Sequence, residues 1–314
     1  FPPPSGAFQS AASEHGARPR PAGSPRAPRH RRPAPAAMPS GAGGAPDRAG
    51  PERAARLRWL RALAGRVDAQ GGPGELRCLA GADVSYAAPD PHGTGAGPRA
   101  VAALAFLAFP SLKLLHCELG EAPADLPYEP GFLAFREAPA VLALLRRAAA
   151  RGFVPDLLFV DGNGRLHPER CGLACVVGVL SGLPTIGVAK SLFGLGGLEE
   201  RRVREDCRLA LSARKPGTSP VALPLAAAPG EEVLGVAVCG QGGSQRPIYV
   251  SVGHRVHLER AVLLTKLCCK HRVPEPVRQA DLLSRRAAEA PAGAAPALDV
   301  TELPSICVAS PPRR

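Results

Sequence analysis

Three carboxylates stand where the apolar pattern would not predict them. Asp83 lies inside "GADVSY", Glu137 in "FLAFRE", and Asp161 directly behind the apolar run "LLFV" and ahead of Gly162-Asn163-Gly164. Asp is depleted in strands, and an ionised carboxylate is costly to desolvate unless something compensates. An acid that ends a buried run is therefore a turn former or a ligand for something cationic. Clustered carboxylate oxygens suit hard divalent cations, and Mg²⁺ usually takes one or two carboxylates plus water and substrate phosphate. Two such ions roughly 3.5–4 Å apart can activate water and stabilise the leaving oxygen of a phosphodiester. The plainer alternative for each acid is a turn or a solvated face, and "DGNG" also carries hairpin turn signals. The segment after it reads as helix rather than strand, which argues against a hairpin, and glycines there allow close backbone approach to a base or phosphate.

The elements that must position these acids follow from periodicity. Residues 53–69 put Leu57, Leu60, Ala64 and Val67 on one helical stripe with arginines around it. Runs 77–88, 99–109 and 112–121 are short, apolar and separated by Gly, Pro and Asp turn chemistry, which predicts an antiparallel meander of three strands. The period then changes: helix 132–152, strand 157–160, helix 168–181 and strand 185–190 alternate, as parallel crossovers require. A polar, Pro-rich connection (199–232) precedes strands "VLGVAVCG" and "PIYVSVGH", helix 257–271 and a helical start at 274–286. The expected fold is thus α/β: a mixed sheet, three antiparallel strands and then β-α-β units, flanked by helices. If meander and crossovers share one sheet, the strands of Asp83 and Asp161 can lie side by side, with a crossing helix delivering Glu137.

The 314 residues do not all belong to that fold. Residues 1–52 are Pro, Ala, Gly and Arg with almost no large aliphatics, and 287–314 revert to an Ala/Pro-rich composition, so both are expected to be disordered tails around a catalytic domain at 53–286. Met38 is the only methionine, which suggests that residues 1–37 are upstream translated sequence. The net charge of +12 favours polyanionic partners, although part of it sits in the Arg-rich tail. Nine cysteines at irregular spacings fit reduced thiols and an intracellular protein, and no apolar run is long enough to predict a membrane span.

Six blocks in order, "GADVSY", "PYEPGFLAFRE", "VDGNGRLHPERCGLACVVGVL", "PTIGVAKSL", "PIYVSVGHRVHLE" and "RVPEPVRQAD", resemble the endonuclease V family, its animal members most, over about residues 53–286. The resemblance implies a ribonuclease H-like fold and an Mg²⁺-dependent endonuclease, with Mn²⁺ as a substitute, that cuts inosine-containing single-stranded RNA. The cut implied is at the second phosphodiester bond 3′ to inosine, leaving 3′-hydroxyl and 5′-phosphate ends. Deoxyinosine DNA is the secondary substrate, and repair of deaminated DNA is the alternative role. On the same resemblance Asp83, Glu137 and Asp161 match metal-binding carboxylates, His254 a histidine next to the metal, and Lys190 a lysine that meets substrate phosphate. Tyr128, in the segment with Pro130 and Gly131, matches a wedge that replaces lost base stacking. Leu133 and Gly162, Asn163 and Gly164 would form the hypoxanthine pocket, and His167 would contact the nucleic acid backbone. A monomer in the cytoplasm and nucleus, including the nucleolus, is expected. The chain departs from the family in having Val176 where a His is common, and Cys268-Cys269 as a reduced cysteine cluster.

Two other groupings imitate sites. His167, Cys171 and Cys175 have the spacing of a metal-binding helix face, but Pro168 is expected to begin that helix and leave His167 outside it. Cys268, Cys269 and His271 are read as helix-end packing. A rival class, a protein that binds inosine without cutting it, would retain the same pocket but have no need of the acids.

Overall fold

The structure, a computed structural model, describes residues 50–87, 99–124, 128–214 and 220–290. Helix α1 (Pro51–Ala64) leads to the meander β1 (Cys78–Tyr86), β2 (Ala100–Ala108) and β3 (Leu114–Ala122). Then come α2 (Leu133–Ala150), β4 (Leu157–Val160), α3 (Leu173–Ser181), β5 (Thr185–Ala189), α4 (Glu200–Ser212), β6 (Val221–Ala226), β7 (Val233–Cys239) and β8 (Ile248–His254). Helices α5 (Leu258–Cys268) and α6 (Glu275–Glu289) end the described chain. All eight strands form one sheet in the order β3-β2-β1-β4-β5-β8-β7-β6. β1, β4 and β5 are mutually parallel and every other neighbouring pair is antiparallel, which is the mixed sheet that the periodicity predicts.

Alternation along β1 divides two layers. Ala80, Ala82 and Val84 join the core beneath α1, α2 and α3, whereas Leu79 faces the opposite core with Val277 and Ala280 of α6. Gly81 has the same parity as Leu79, and a Cβ there would stand 2.0 Å from the Pro276 carbonyl oxygen. The lack of a side chain lets α6 lie directly on the strand, with Ser284 reaching Asp83 two residues further along. A third cluster, built on Leu166, Val203, Cys207, Leu234 and Tyr249, seats α4 against β7 and β8.

The structure corrects several expected boundaries. Residues 199–232 are not a plain connection: α4 and β6 lie within them. Only Val203 and Cys207 of α4 are buried, a stripe too narrow to stand out among Arg and Glu, and Pro224 is tolerated because β6 is an edge strand. Helix α3 begins at Leu173 rather than Pro168, because 165–172 are turns in which Arg170 adopts φ 54°. Helix α1 starts at Pro51, inside the segment read as tail, and α6 runs on to Glu289 because Ala288 packs on Val101. The rest of both expected tails, 1–49 and 291–314, lies outside the described residues. No helix among the described residues is long and apolar enough to cross a membrane.

Candidate metal centre and nucleic-acid cleft

The parallel register of β1 and β4 sets Ala82 opposite Val160, and the Asp161 amide donates to the Ala82 carbonyl at 3.0 Å, so Asp83 and Asp161 leave adjacent strands together. α6 adds a third acid that the sequence reading did not single out. Oxygens of Asp83, Asp161 and Asp281 lie within 4.8 Å of one another, forming a group of three that could hold a metal ion. Lys190, one residue past β5, reaches across: its Nζ donates to Asp161 Oδ2 at 2.5 Å and to Asp281 Oδ1 at 3.1 Å. Ser284 Oγ donates to Asp83 Oδ2 at 2.6 Å, and Arg285 donates to both Asp281 oxygens at 2.9 and 2.8 Å. Glu137 lies beside this group rather than within it. It is buried on α2, and its Oε1 accepts from the Tyr86 hydroxyl at 3.2 Å.

Packing so many carboxylates together suppresses their ionisation. Burial, and then the Asp161 charge, push Asp83 up to about 7; burial, followed by Asp83 and Asp161, pushes Glu137 up to about 8. Burial alone would lower Lys190, but Asp161, Asp83 and Asp281 outweigh it and hold the ammonium above its ordinary value. An all-oxygen carboxylate donor set fits a hard divalent cation. The linkage has a definite sign. Between the ordinary carboxylate range and about 7 to 8 the native state holds protons that the unfolded chain has released, so metal-free stability falls as pH rises through that window. His167 and His254, both lowered by burial, act in the opposite sense. The thermal midpoint should therefore fall more steeply with pH in the metal-free protein than in an Asp83→Asn/Glu137→Gln variant. Added Mn²⁺ should raise the midpoint more at about pH 8 than at about pH 5.5, since cation and proton compete for the same oxygens. Equal increments at both pH values would contradict a carboxylate metal site.

A small cleft adjoins the acids through the chain itself: Asn163 is two residues beyond Asp161, and Leu133 is one helical turn before Glu137. Tyr128, Gly131, Leu133, Asn163, His167 and Phe193 line it, around a volume of about 50 Å³. That is room for a water or two, so a purine would enter only as the 62 % exposed Tyr128 or its neighbours move aside. The loop 162–164 is forced close to the sheet: a Cβ on Gly164 would meet the Val252 carbonyl oxygen at 2.1 Å, and one on Gly187 the Gly164 nitrogen at 2.4 Å. Asn163 Oδ1 is a buried acceptor without a donor among the described residues. His167 ties the walls: Glu169 N–H donates to its Nδ1 at 3.2 Å, so Nε2 carries the proton and donates to the Gly131 carbonyl at 3.1 Å.

The structure therefore gathers Tyr128, Gly131, Leu133, Asn163 and His167 at the cleft, and Asp83, Asp161 and Lys190 at the acids. Gly162 and Gly164 serve as tight packing in the loop between, and Pro130 belongs to the Tyr128 turn. His254 does not join them. It pairs with Thr185 at the start of β5, roughly 13 Å of strand from the end that leads to Lys190, and its Nδ1 accepts from Asp68 N–H at 3.1 Å. Asp281, rather than the His254 that the resemblance indicated, stands beside Asp83 and Asp161. Of the His167, Cys171 and Cys175 grouping, the Cys175 thiol points to the Val252 carbonyl at 3.5 Å and His167 donates to the Gly131 carbonyl. All eight cysteines among the described residues are free thiols.

Comparison with known proteins agrees with this geometry. The family model for Endonuclease V matches residues 61–282. Endonuclease V of Homo sapiens is 43% identical over 212 residues, 67% of this chain and 71% of that protein, and Endonuclease V of Roseiflexus castenholzii is 41% identical over 212 residues. The crystal structure of the human catalytic domain superposes with TM-score 0.65 at 37% identity, covering 76% of this chain and 96% of that one. A Ciona intestinalis Endonuclease V, solved with a 23mer DNA containing an inosine followed by a ribo-adenosine, gives TM-score 0.67 at 29% identity, over 76% and 98% of the two chains. With matches of this extent, and with an eight-stranded sheet that carries Asp83 and Asp161 on neighbouring strands, this chain belongs to the endonuclease V family.

Proposed function

We propose that the protein is a metal-dependent endonuclease that cuts inosine-containing single-stranded RNA at the second phosphodiester bond 3′ to inosine, leaving 3′-hydroxyl and 5′-phosphate ends. The observation that carries this reading is the three-aspartate group with Lys190, joined by two residues of chain to a cleft holding an orphaned acceptor. Asp83, Asp161 and Asp281 would hold a divalent cation, Mg²⁺ or Mn²⁺, which supplies water activation and neutralises charge on the leaving oxygen. Glu137, buried beside them and held largely protonated while no cation is bound, would release its proton as a cation binds and so add to the negative charge that holds it.

The chain's own groups do the rest. Lys190, held between Asp161 and Asp281, is placed to turn its ammonium to a substrate phosphate. Tyr128, exposed at the rim, supplies an aromatic platform where a base has left the stack. Asn163 Oδ1 suits a base edge that donates: hypoxanthine carries N1–H, whereas adenine presents a bare N1 that would leave two acceptors facing each other. The Ciona relative was captured on inosine followed by a ribo-adenosine, a nucleotide bearing the 2′-hydroxyl that distinguishes RNA, which supports RNA as the substrate. Deoxyinosine in DNA is the second reading, favoured by the deoxyribose remainder of that same strand. We place the activity in a monomeric catalytic domain that acts in the cytoplasm and nucleus.

Tyr128→Ala tests the wedge. It should lower kcat/KM on an inosine strand by about 5- to 150-fold, the worth of a lost stacking platform of ~1–3 kcal/mol, while Tyr128→Phe retains most of the activity. An alanine variant as active as the native protein would remove Tyr128 from the account.

A further inference from the structure

Helix α1 is amphipathic only in part, and its polar side is not simply solvated. Arg53 Nε donates to Glu129 Oε1 at 3.1 Å and Arg56 Nη1 to Glu129 Oε2 at 3.4 Å, so one carboxylate is gripped by two guanidinium groups from successive turns. Each guanidinium also lies over an aromatic ring at the start of α2: Arg53 is 5.2 Å from the Phe132 centroid and Arg56 is 5.7 Å from that of Phe135. Glu129 directly follows Tyr128, and its carbonyl accepts from Phe132 N–H at 3.0 Å, which makes 129–132 a closed turn. On the other side of the cleft Arg61 Nε donates to Glu169 Oε2 at 2.6 Å, and Glu169 sits two residues from His167, which it helps orient. One helix thus holds both walls of the cleft by their acidic residues.

We propose that Arg53 and Arg56 are positioning residues that hold the Tyr128 segment at the rim through Glu129, so that base selection depends on a helix outside the acid centre. This inference rests on the reading of Tyr128 as the wedge. An exposed ion pair alone contributes little, but here two pairs share one acceptor and both cations are stacked on rings, which restricts the turn more than either pair would. The turn adjoins the aromatic side chain at the rim of that cleft, and misplacing a positioned group by about 1 Å can cost about 100-fold in rate. Residues so far from the acids would otherwise be without effect on turnover.

The test is a charge exchange on the full chain, assayed on a single-stranded RNA with one inosine and on its adenosine counterpart. Glu129→Arg should lower kcat/KM on the inosine strand by about 3- to 30-fold and narrow the inosine-to-adenosine ratio, with a thermal midpoint close to native. Adding Arg53→Glu and Arg56→Glu in the same chain should recover part of the loss and of the inosine-to-adenosine ratio, because the ion pairs return with reversed polarity while the guanidinium contacts with Phe132 and Phe135 do not. The Arg53→Gln/Arg56→Gln variant should match the Glu129→Arg defect without introducing any new charge. A Glu129→Arg protein with native kinetics, or a triple variant with no recovery, would overturn the clamp. Failure of the native protein to discriminate inosine at all would overturn the functional reading beneath it, a result separable from the other two.

Discussion

Replacing Asp281 by Asn is expected to abolish strand scission, lowering kcat by on the order of 10³ or more, while single-strand binding weakens by less than about tenfold. The asymmetry follows from what Asp281 touches. Its oxygens lie within 4.8 Å of those of Asp83 and Asp161, and Lys190 is shared between it and Asp161. An amide in its place retains the size but removes one of three charges that a cation would meet, and turns one of the two oxygens that accept from Arg285 into a donor. Affinity for the strand, by contrast, rests on cationic and aromatic groups that the substitution leaves alone. The measurement is single-turnover cleavage beside equilibrium binding of the same labelled oligonucleotide. Native turnover in Asp281→Asn would reduce the group to Asp83 and Asp161 and return the third place to Glu137.

Asp281 also shows where reading the sequence stops. Asp83 and Asp161 were legible because an acid among apolar strand residues breaks a pattern. Asp281 breaks none: in "VRQADLLSRR" an acid beside arginines on an amphipathic helix looks like an ordinary solvated face. Only the close approach of α6 to β1 turns it inward, and the signal for that approach is a missing side chain at Gly81, which sequence cannot distinguish from a flexible joint. The same limit explains His254. Its position in the chain, at the end of a β-strand, fits a site residue, but β8 runs antiparallel to β5 and therefore ends at the sheet edge away from Lys190. The strands from β1 to β5 and the antiparallel-then-parallel sense of their connections were readable because hydrophobic period and segment length agree there, while their order in the sheet was not; α4, with two buried residues, offered no such agreement.

Gly81→Ala should be among the most destabilising single substitutions available, costing about 3 kcal/mol or more against the ~1 kcal/mol typical of point changes. The added Cβ would face the Pro276 carbonyl oxygen at 2.0 Å, its carbon at 2.1 Å and the Val277 nitrogen at 2.6 Å. All three are backbone atoms of the first turn of α6, so no rotamer change relieves the clash and the helix itself must lift. Lifting α6 carries Ser284 and Asp281 away from Asp83, and divalent-cation affinity should drop along with stability. Gly74→Ala, where a Cβ meets nothing within 4 Å, is the control and should stay within about 0.5 kcal/mol of native. Urea unfolding of the two variants, repeated with Mn²⁺, measures both effects; equal midpoints for them would mean that α6 does not rest on β1 as described.

The most direct test of the central claim is cleavage, in Mg²⁺, of one labelled single strand carrying a central inosine, made once as RNA and once as DNA, with Asp161→Ala beside the native protein. Preferential cutting of the RNA at the second phosphodiester 3′ to inosine, absent from the variant, is the predicted result. Scission that ignores inosine, or that survives in Asp161→Ala, would contradict it.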